Sequence, residues 1–425
     1  MKNRKLNQWL WKWHFIAGLI SLPFILMLSI TGAIYLFNPD VQSNAIANIQ
    51  NIQNIQDVET LQTTPISYQQ QWENAIKKLK KKPNSMVIND NPQKATEFVV
   101  GRFSHKKAVF INQYTGEATG TFSPKSTWMY SIRKLHGELL AGKVGTLLIE
   151  LIASWMVVLI ITGIYIWWPF ASFKDLKGLF TIRCNQGKRT LFRDLHAVTG
   201  FWMSILLLLV LAGGLPWTDV FGSNFKWVQK VTNTGFPKTW SGRGLISEVK
   251  NKETIKIKTL SIDEMVAIAN QQKLQGVISI GLPKSAKSTF SVSNKTFPLD
   301  AQKKLHFNQY SGELIKAHTW SDVGFLMRGR MWVMAFHQGQ FGGWNWWLMF
   351  GVAIGLTLMT VAGLFSYLYR KQKGSWGVPK VSSQFKVGKL IVFILVLLGV
   401  LLPMFGVSLL LIVLFEQLSK KVKTD

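Results

Sequence analysis

Five apolar runs, at about residues 15 to 37, 146 to 169, 197 to 217, 346 to 368 and 388 to 415, decide most of what this chain can fold into. About 20 apolar residues are needed to cross a bilayer core. Lipid offers no hydrogen bonds, so such a run must satisfy its own backbone and is read as a helix. With 48% hydrophobic and only 16% charged residues, the chain reads as a polytopic membrane protein and a soluble fold is excluded. The first run has the basic front of a secretory signal. It is too long for one, however, and ends in TGAIYLFNPD without a small-x-small cleavage site, so it is expected to stay as a helix.

Charge sets the expected topology. The N-terminus 1–13 and the loops within 170–195 and 370–387 are short and rich in Lys and Arg, which places them in the cytoplasm by the positive-inside rule. Spans are then expected at 14–37, 136–169, 196–217 and 337–369, the second and fourth each opening on a histidine-bearing step. The polar segments 38–135 and 218–336 lie outside, in the periplasm of a bacterium with two membranes. A fifth span at 388–415 would leave the lysines of the tail 416–425 outside, while Pro403 and Gly406 are placed to bend or fold back that segment. The sequence leaves both courses open.

The formal net charge of +28 is shared by both sides of the membrane and suits anionic lipid or an anionic ligand. The basic residues are tied to membrane loops and form no recognition motif, so nucleic acid is excluded as a partner. The single cysteine, Cys184, allows neither a disulfide nor the C-x-x-C-H attachment of covalent haem.

The chain also repeats itself. AVFINQYTGEATGTF at 108–122 and KLHFNQYSGELIKAH at 304–318 share N-Q-Y-[ST]-G-E, each read as two strands around a turn at Gly116 or Gly312. Each is preceded by a candidate amphipathic helix, WENAIKKLKKK or SIDEMVAIANQQ, and by strand-like pieces, TEFVVGRF or STFSVSN. Two copies of one small helix-plus-sheet domain are expected. The spans repeat in step, His14–Gly18 matching His196–Gly200 as H-x-x-x-G, and His136 matching His337 ahead of glycine-rich steps. The unit is span, outer domain, span, occurring twice as parallel repeats. Four such spans can pack as a bundle with cofactor sites between facing helices.

In this topology His14 and His196 share a level near the cytoplasmic surface, and His136 and His337 share one near the outer surface. A lone histidine at a span end needs no function; four at two matched levels call for one. Imidazole is a common axial ligand of haem iron, and a haem held by two histidines from different helices suits electron transfer. The expected cofactor is therefore non-covalent haem, two per chain, with His14, His196, His136 and His337 as iron ligands. Arg133 and Arg193 each stand three positions before a ligand histidine, on the same helical face, and Arg328 and Arg330 approach His337. These arginines are candidates for holding haem propionates, although simple interfacial placement accounts for them equally. His105, His306 and His318 have no repeat partners and are read as surface residues. Trp167, Trp168, Trp217, Trp344, Trp346 and Trp347 are read as interface anchors, with Trp155 and Trp202 as candidates for an aromatic relay. Gly18, Gly32, Gly163, Gly200 and Gly363 permit close approach of a helix or macrocycle.

W-x-W-H-F-I-A-G at 11–18, L-H-G-E-L at 135–139, T-G-I-Y-I-W-W-P at 162–169, R-D-L-H-A-V-T-G at 193–200 and the duplicated N-Q-Y-[ST]-G-E units together resemble the PepSY-associated transmembrane proteins of bacterial inner membranes. The resemblance covers nearly the whole chain. It implies a mainly α-helical membrane bundle with two duplicated α+β PepSY-like extracytoplasmic domains. It also implies a place in iron uptake, where some members look like ferric-siderophore reductases with two b-type haems. The implied ligands are the same four histidines.

The expected activity is haem-dependent reduction of a ferric siderophore or other ferric chelate. No G-x-G-x-x-G fingerprint is present, so the electron donor would be quinol or a cytoplasmic reductase. No catalytic residue is nominated, because the sequence carries no acid–base or nucleophile pattern. Two rivals stand beside this reading: a cofactor-free PepSY-type binding or regulatory module, and a transporter for iron or its chelate.

Overall fold

The computed structural model describes residues 4–52, 64–88, 91–102, 105–168, 178–249, 259–381 and 385–421. In chain order, the helices used below are α1 (Arg4–Tyr35), α2 (Asn38–Gln50), α3 (Tyr68–Leu79), α4 (Trp128–Glu138), α5 (Gly142–Trp167) and α6 (Lys188–Gly214). They continue with α7 (Val220–Val231), α8 (Ile262–Gln271), α9 (Phe325–His337), α10 (Gly343–Arg370), α11 (Lys389–Leu401) and α12 (Pro403–Lys421). The strands are β1 (Ser85–Val87), β2 (Thr96–Val100), β3 (Lys107–Ile111), β4 (Ala118–Phe122), β5 (Val277–Gly281), β6 (Phe290–Lys295), β7 (Lys304–Phe307) and β8 (Leu314–His318). The chain divides into two compact units, one of residues 1–36, 131–228 and 330–425, the other of 37–130 and 229–329.

The first unit is a helical bundle. Among the described residues four helices are long and apolar enough to cross a membrane, α1, α5, α10 and α6 extended to Trp217. They form a ring in which α1 and α6 each pack on both α5 and α10, so α1 and α6 oppose one another across the centre. Ile25, Ile152, Met156, Leu207, Leu211, Val352 and Leu356 fill the middle.

Two acids break the apolar pattern, and each is satisfied. Glu150 in α5 is fully buried, and its two carboxylate oxygens accept the N–H groups of Val220 (2.9 Å) and Phe221 (2.8 Å). Those are orphan donors at the start of α7, whose dipole also favours the negative charge. Asp194 in α6, equally buried, accepts from Arg183 Nε at 2.7 Å and Nη2 at 2.9 Å, which ties the loop before α6 to the helix.

The apolar run at 388–415 is not a single span. It breaks at Leu402 into α11 and α12, both shorter than the four long helices. The corner is tight: a Cβ on Gly406 would stand 3.1 Å from Gly399 Cα, so only glycine allows the two helices to meet there. Phe405 is fully buried at this corner, and Trp155 of α5 stacks edge-on against it at 4.9 Å while donating Nε1–H to Ser408 Oγ at 3.1 Å.

In the second unit the two polar segments share one sheet, where two separate sheets were expected. Its order is β4-β3-β2-β1-β5-β6-β7-β8, every neighbour antiparallel. The halves join where Met86 of β1 faces Ile280 of β5, both fully buried. One face carries the expected amphipathic helices α3 and α8 on a core of Met86, Phe98, Val109, Ile280, Val292 and Phe307. Asp263 at the start of α8 accepts Tyr68 N at 2.7 Å and Gln69 N at 3.1 Å, so one helix caps the other. The opposite face of the first half is covered by α2 through Ile46 and Ile49, over Val99, Ala108 and Phe110.

The duplicated motif is a turn device. Asn112 Oδ1 accepts Tyr114 N and Asn308 Oδ1 accepts Tyr310 N, both at 2.9 Å. Gly116 and Gly312 have φ of +76° and +72°, the left-handed conformation that glycine enters at least cost. The glutamines anchor neighbouring loops, Gln113 through Pro92 O and Gln309 through Ala286 O.

Candidate functional site

The four histidines meet in two pairs within the bundle. His14 on α1 and His196 on α6 have ring centroids 6.4 Å apart, and His136 on α4 and His337 on α9 have theirs 6.3 Å apart. An imidazole nitrogen binds a first-row metal at about 2 Å and stands about 1.1 Å from its ring centre, so two imidazoles in line on one ion have centroids about 6.2 Å apart. Both pairs thus have the separation of imidazoles that share one metal. His136 lies beside Thr31 at the far end of α1, which at about 1.5 Å per residue sets the two levels roughly 25 Å apart.

Hydrogen bonds fix how each ring faces. Nδ1 of every one of the four has a partner at 2.9 Å: Thr162 Oγ1 for His14, Thr31 Oγ1 for His136, Met359 O for His196 and Val210 O for His337. The carbonyls can only accept. The threonine hydroxyls already donate, Thr162 to Val158 O and Thr31 to Met27 O, so they accept too. All four rings therefore carry their proton on Nδ1 and keep the Nε2 lone pair free. Metal-binding histidines are held this way, the far nitrogen donating to a carbonyl or hydroxyl.

Glycines make room for the rings. A Cβ on Gly163 would stand 3.2 Å from His14 Cε1, on Gly32 3.4 Å from His136 Cε1, on Gly363 2.9 Å from His196 Nδ1 and on Gly213 2.7 Å from His337 Cβ. Each histidine thus leans on a glycine of another helix. Gly18 and Gly200, one turn beyond His14 and His196, line the space between those two rings.

That space is a cavity of about 560 Å³, bounded by His14, His196, Gly163, Gly363 and apolar side chains including Leu159 and Met359. Three arginines, Arg189, Arg193 and Arg370, belong to its wall, with Trp11 and Phe15 under the Arg370 guanidinium at 5.2 and 4.7 Å. Two lining atoms, Asn7 Oδ1 and Trp167 Nε1, are buried without a hydrogen-bond partner. Buried polar atoms are normally paired, so this wall has polar contacts left to give.

The expected arginines divide. Arg193 lines the cavity while donating to Asp194 Oδ1 at 2.9 Å. Arg133, partly exposed, lies 3.9 Å from Glu138 Oε1. Arg330 is buried, donates Nη2–H to Pro216 O at 2.8 Å and covers the Trp217 ring at 4.2 Å, an assignment that ties α9 to the end of α6. Arg328 stands on α9, the same helix as His337. Of the candidate relay residues, Trp202 is 54% exposed and donates to Leu179 O, and Trp155 is engaged by α12. Sequence reading missed Thr31, Thr162, Gly213, Arg189 and Arg370; the pairs Thr31–Gly32 and Thr162–Gly163 inside spans were the available signal for the first two. His306 and His318, read as surface residues, are both buried in the sheet unit, whereas His105 is exposed.

Four apolar helices enclosing two facing histidine pairs define a helical membrane protein with its polar chemistry gathered at two levels of one bundle. The chain belongs to the PepSY-associated transmembrane family, whose TM-region model matches residues 11–370. That match holds all four histidines and ends before α11 and α12. No curated protein matches the chain in sequence.

Proposed function

We propose that this is a dihaem b electron-transfer protein of the bacterial inner membrane that reduces a ferric siderophore or similar ferric chelate on the periplasmic side during iron acquisition. Its N-terminus lies in the cytoplasm, and the sheet unit is built from two PepSY-like extracytoplasmic repeats. The observation that carries this reading is the geometry of the histidine pairs: centroids 6.4 and 6.3 Å apart with all four Nδ1 atoms hydrogen-bonded away from the partner ring.

Haem held between two imidazoles supplies one-electron transfer without an open iron position. The chain's residues provide the rest. His14 and His196 would hold one group and His136 and His337 the other, the Nε2 of each ring being the nitrogen left available. Gly163, Gly363, Gly32 and Gly213 keep the rings seated, and apolar side chains such as Leu159 exclude water from the lower site. Arg189, Arg193 and Arg370 place positive charge where acidic substituents of the cofactor would lie, with Trp167 Nε1–H as a further donor. Quinol or a cytoplasmic reductase would supply electrons at the His14/His196 level. Reduction of ferric to ferrous ion weakens its hold on hard oxygen donors, so release from a chelate needs no acid–base residue.

The test is the pyridine haemochrome spectrum of the purified protein, with haem counted per chain, beside His14→Ala and His136→Ala. The expected result is a b-type spectrum with two haems per chain, falling by one in each variant. A protein that shows no Soret band after reconstitution would remove this reading in favour of a cofactor-free binding module.

A further inference from the structure

A third histidine pair lies in the sheet unit, outside everything described above. His306 on β7 and His318 on β8 are each 1% exposed, with ring centroids 5.9 Å apart and planes at 86°. They lie on the sheet face opposite α3 and α8, under the turn that carries Thr239, Trp240 and Gly242. Trp240 sits 5.6 Å from the His318 ring, and a Cβ on Gly242 would stand 3.4 Å from His306 Cε1.

Each ring has one nitrogen engaged and one not. His306 Nδ1 lies 3.4 Å from Thr289 Oγ1, and His318 Nε2 lies 3.0 Å from Thr239 Oγ1. His306 Nε2 and His318 Nδ1 are buried without any partner. An orphan nitrogen in a protein interior is costly, and two on adjacent strands are not accounted for by packing. Packing alone has a simpler solution in the same molecule. The repeat-equivalent positions in the first half are Phe110 and Phe122, which pack together with Ala108 and Val99 beneath α2.

We infer that His306 and His318 form a two-imidazole site for a single cuprous ion, bound through the two unpartnered nitrogens. As in the bundle pairs, one nitrogen of each ring is held by an oxygen and the other is left for a metal, although His318 is held at Nε2 and not at Nδ1. Among the described residues no third His, Cys, Asp or Glu completes a cluster. That poverty of ligands argues against zinc, which takes four; imidazole accepts copper among several first-row metals, so the low ligand number is what favours the cuprous ion. Lys304 lies directly across from His318 in the β7–β8 ladder, and the charges of Asp322 and Lys316 also act on that ring.

The test uses the full-length protein in detergent, stripped with chelator and titrated with Cu(I) against a chromophoric cuprous chelator under reducing conditions. It is run in the His14→Ala/His136→Ala background, so that the bundle pairs add nothing. One equivalent of Cu(I) per chain is expected, lost in His306→Phe and in His318→Phe. These variants install the residues of the first half and so keep the sheet packed; a thermal melt checks each for folding. X-ray absorption of the loaded protein is expected to show Cu(I) with two nitrogen neighbours. Equal Cu(I) binding in folded His306→Phe/His318→Phe protein would overturn the site. Binding of Zn(II) but not Cu(I), lost in the same variants, would overturn the cuprous assignment.

Discussion

Ahead of the shared turn, the first half of the chain has Phe110 where the second has His306, and after it Phe122 where the second has His318. In the bundle the two halves keep their histidines and differ one step away. His14 and His136 are held by Thr162 and Thr31, whereas His196 and His337 are held by backbone carbonyls. The residue before the supporting glycine is threonine in the first half and alanine, Ala212 or Ala362, in the second. In the sheet the exchange swaps an apolar contact for a polar one and creates a chemistry the other half lacks. In the bundle it changes only the acceptor behind a ring that both halves retain. The two halves of the chain thus differ in the sheet at the rings themselves and in the bundle only behind them.

Four variants break or sharpen this contrast. The largest effect is expected from Gly363→Leu, since even a Cβ there would come within 2.9 Å of His196 Nδ1. The variant should lose haem at the lower level and keep it at the upper, read as one haem per chain by haemochrome. Asp194→Asn comes next. The halves differ here too, Lys12 standing where the second has Asp194, and the buried carboxylate binds Arg183 and Arg193. Loss of its charge should destabilise the protein by about 2 kcal/mol, measured by thermal unfolding in detergent.

The double variant His306→Phe/His318→Phe makes the sheet halves alike. Without metal it should be more stable than the parent by about 1 kcal/mol or more, because two orphan nitrogens disappear. A lower melting temperature in the metal-free state would mean that the rings contribute more through packing than they lose through desolvation. Thr162→Ala makes the bundle halves alike and should have the smallest effect. His14 would turn from a hydroxyl to a stronger backbone acceptor, retaining haem while its midpoint potential falls, because a more basic imidazole favours the ferric state. Potentiometric titration of the variant checks the direction.

Much of this protein was legible from its sequence. The four spans were, because about 20 apolar residues in succession have few other fates. So were α3 and α8 and the strands around Gly116 and Gly312, since period and turn residues are local properties. Other features depend on which segments meet. That His14 faces His196 at 6.4 Å, that Thr162 and Met359 O orient those rings, and that Gly213 gives way to His337 are contacts between residues more than 100 positions apart. The last apolar run folds as two helices because Gly399 and Gly406 can touch, a fact of packing that its hydropathy does not encode. His306 and His318 read as surface residues because histidine in a polar segment ordinarily is one. Only the pairing of β7 with β8, under a turn closed by Trp240, takes both rings out of water.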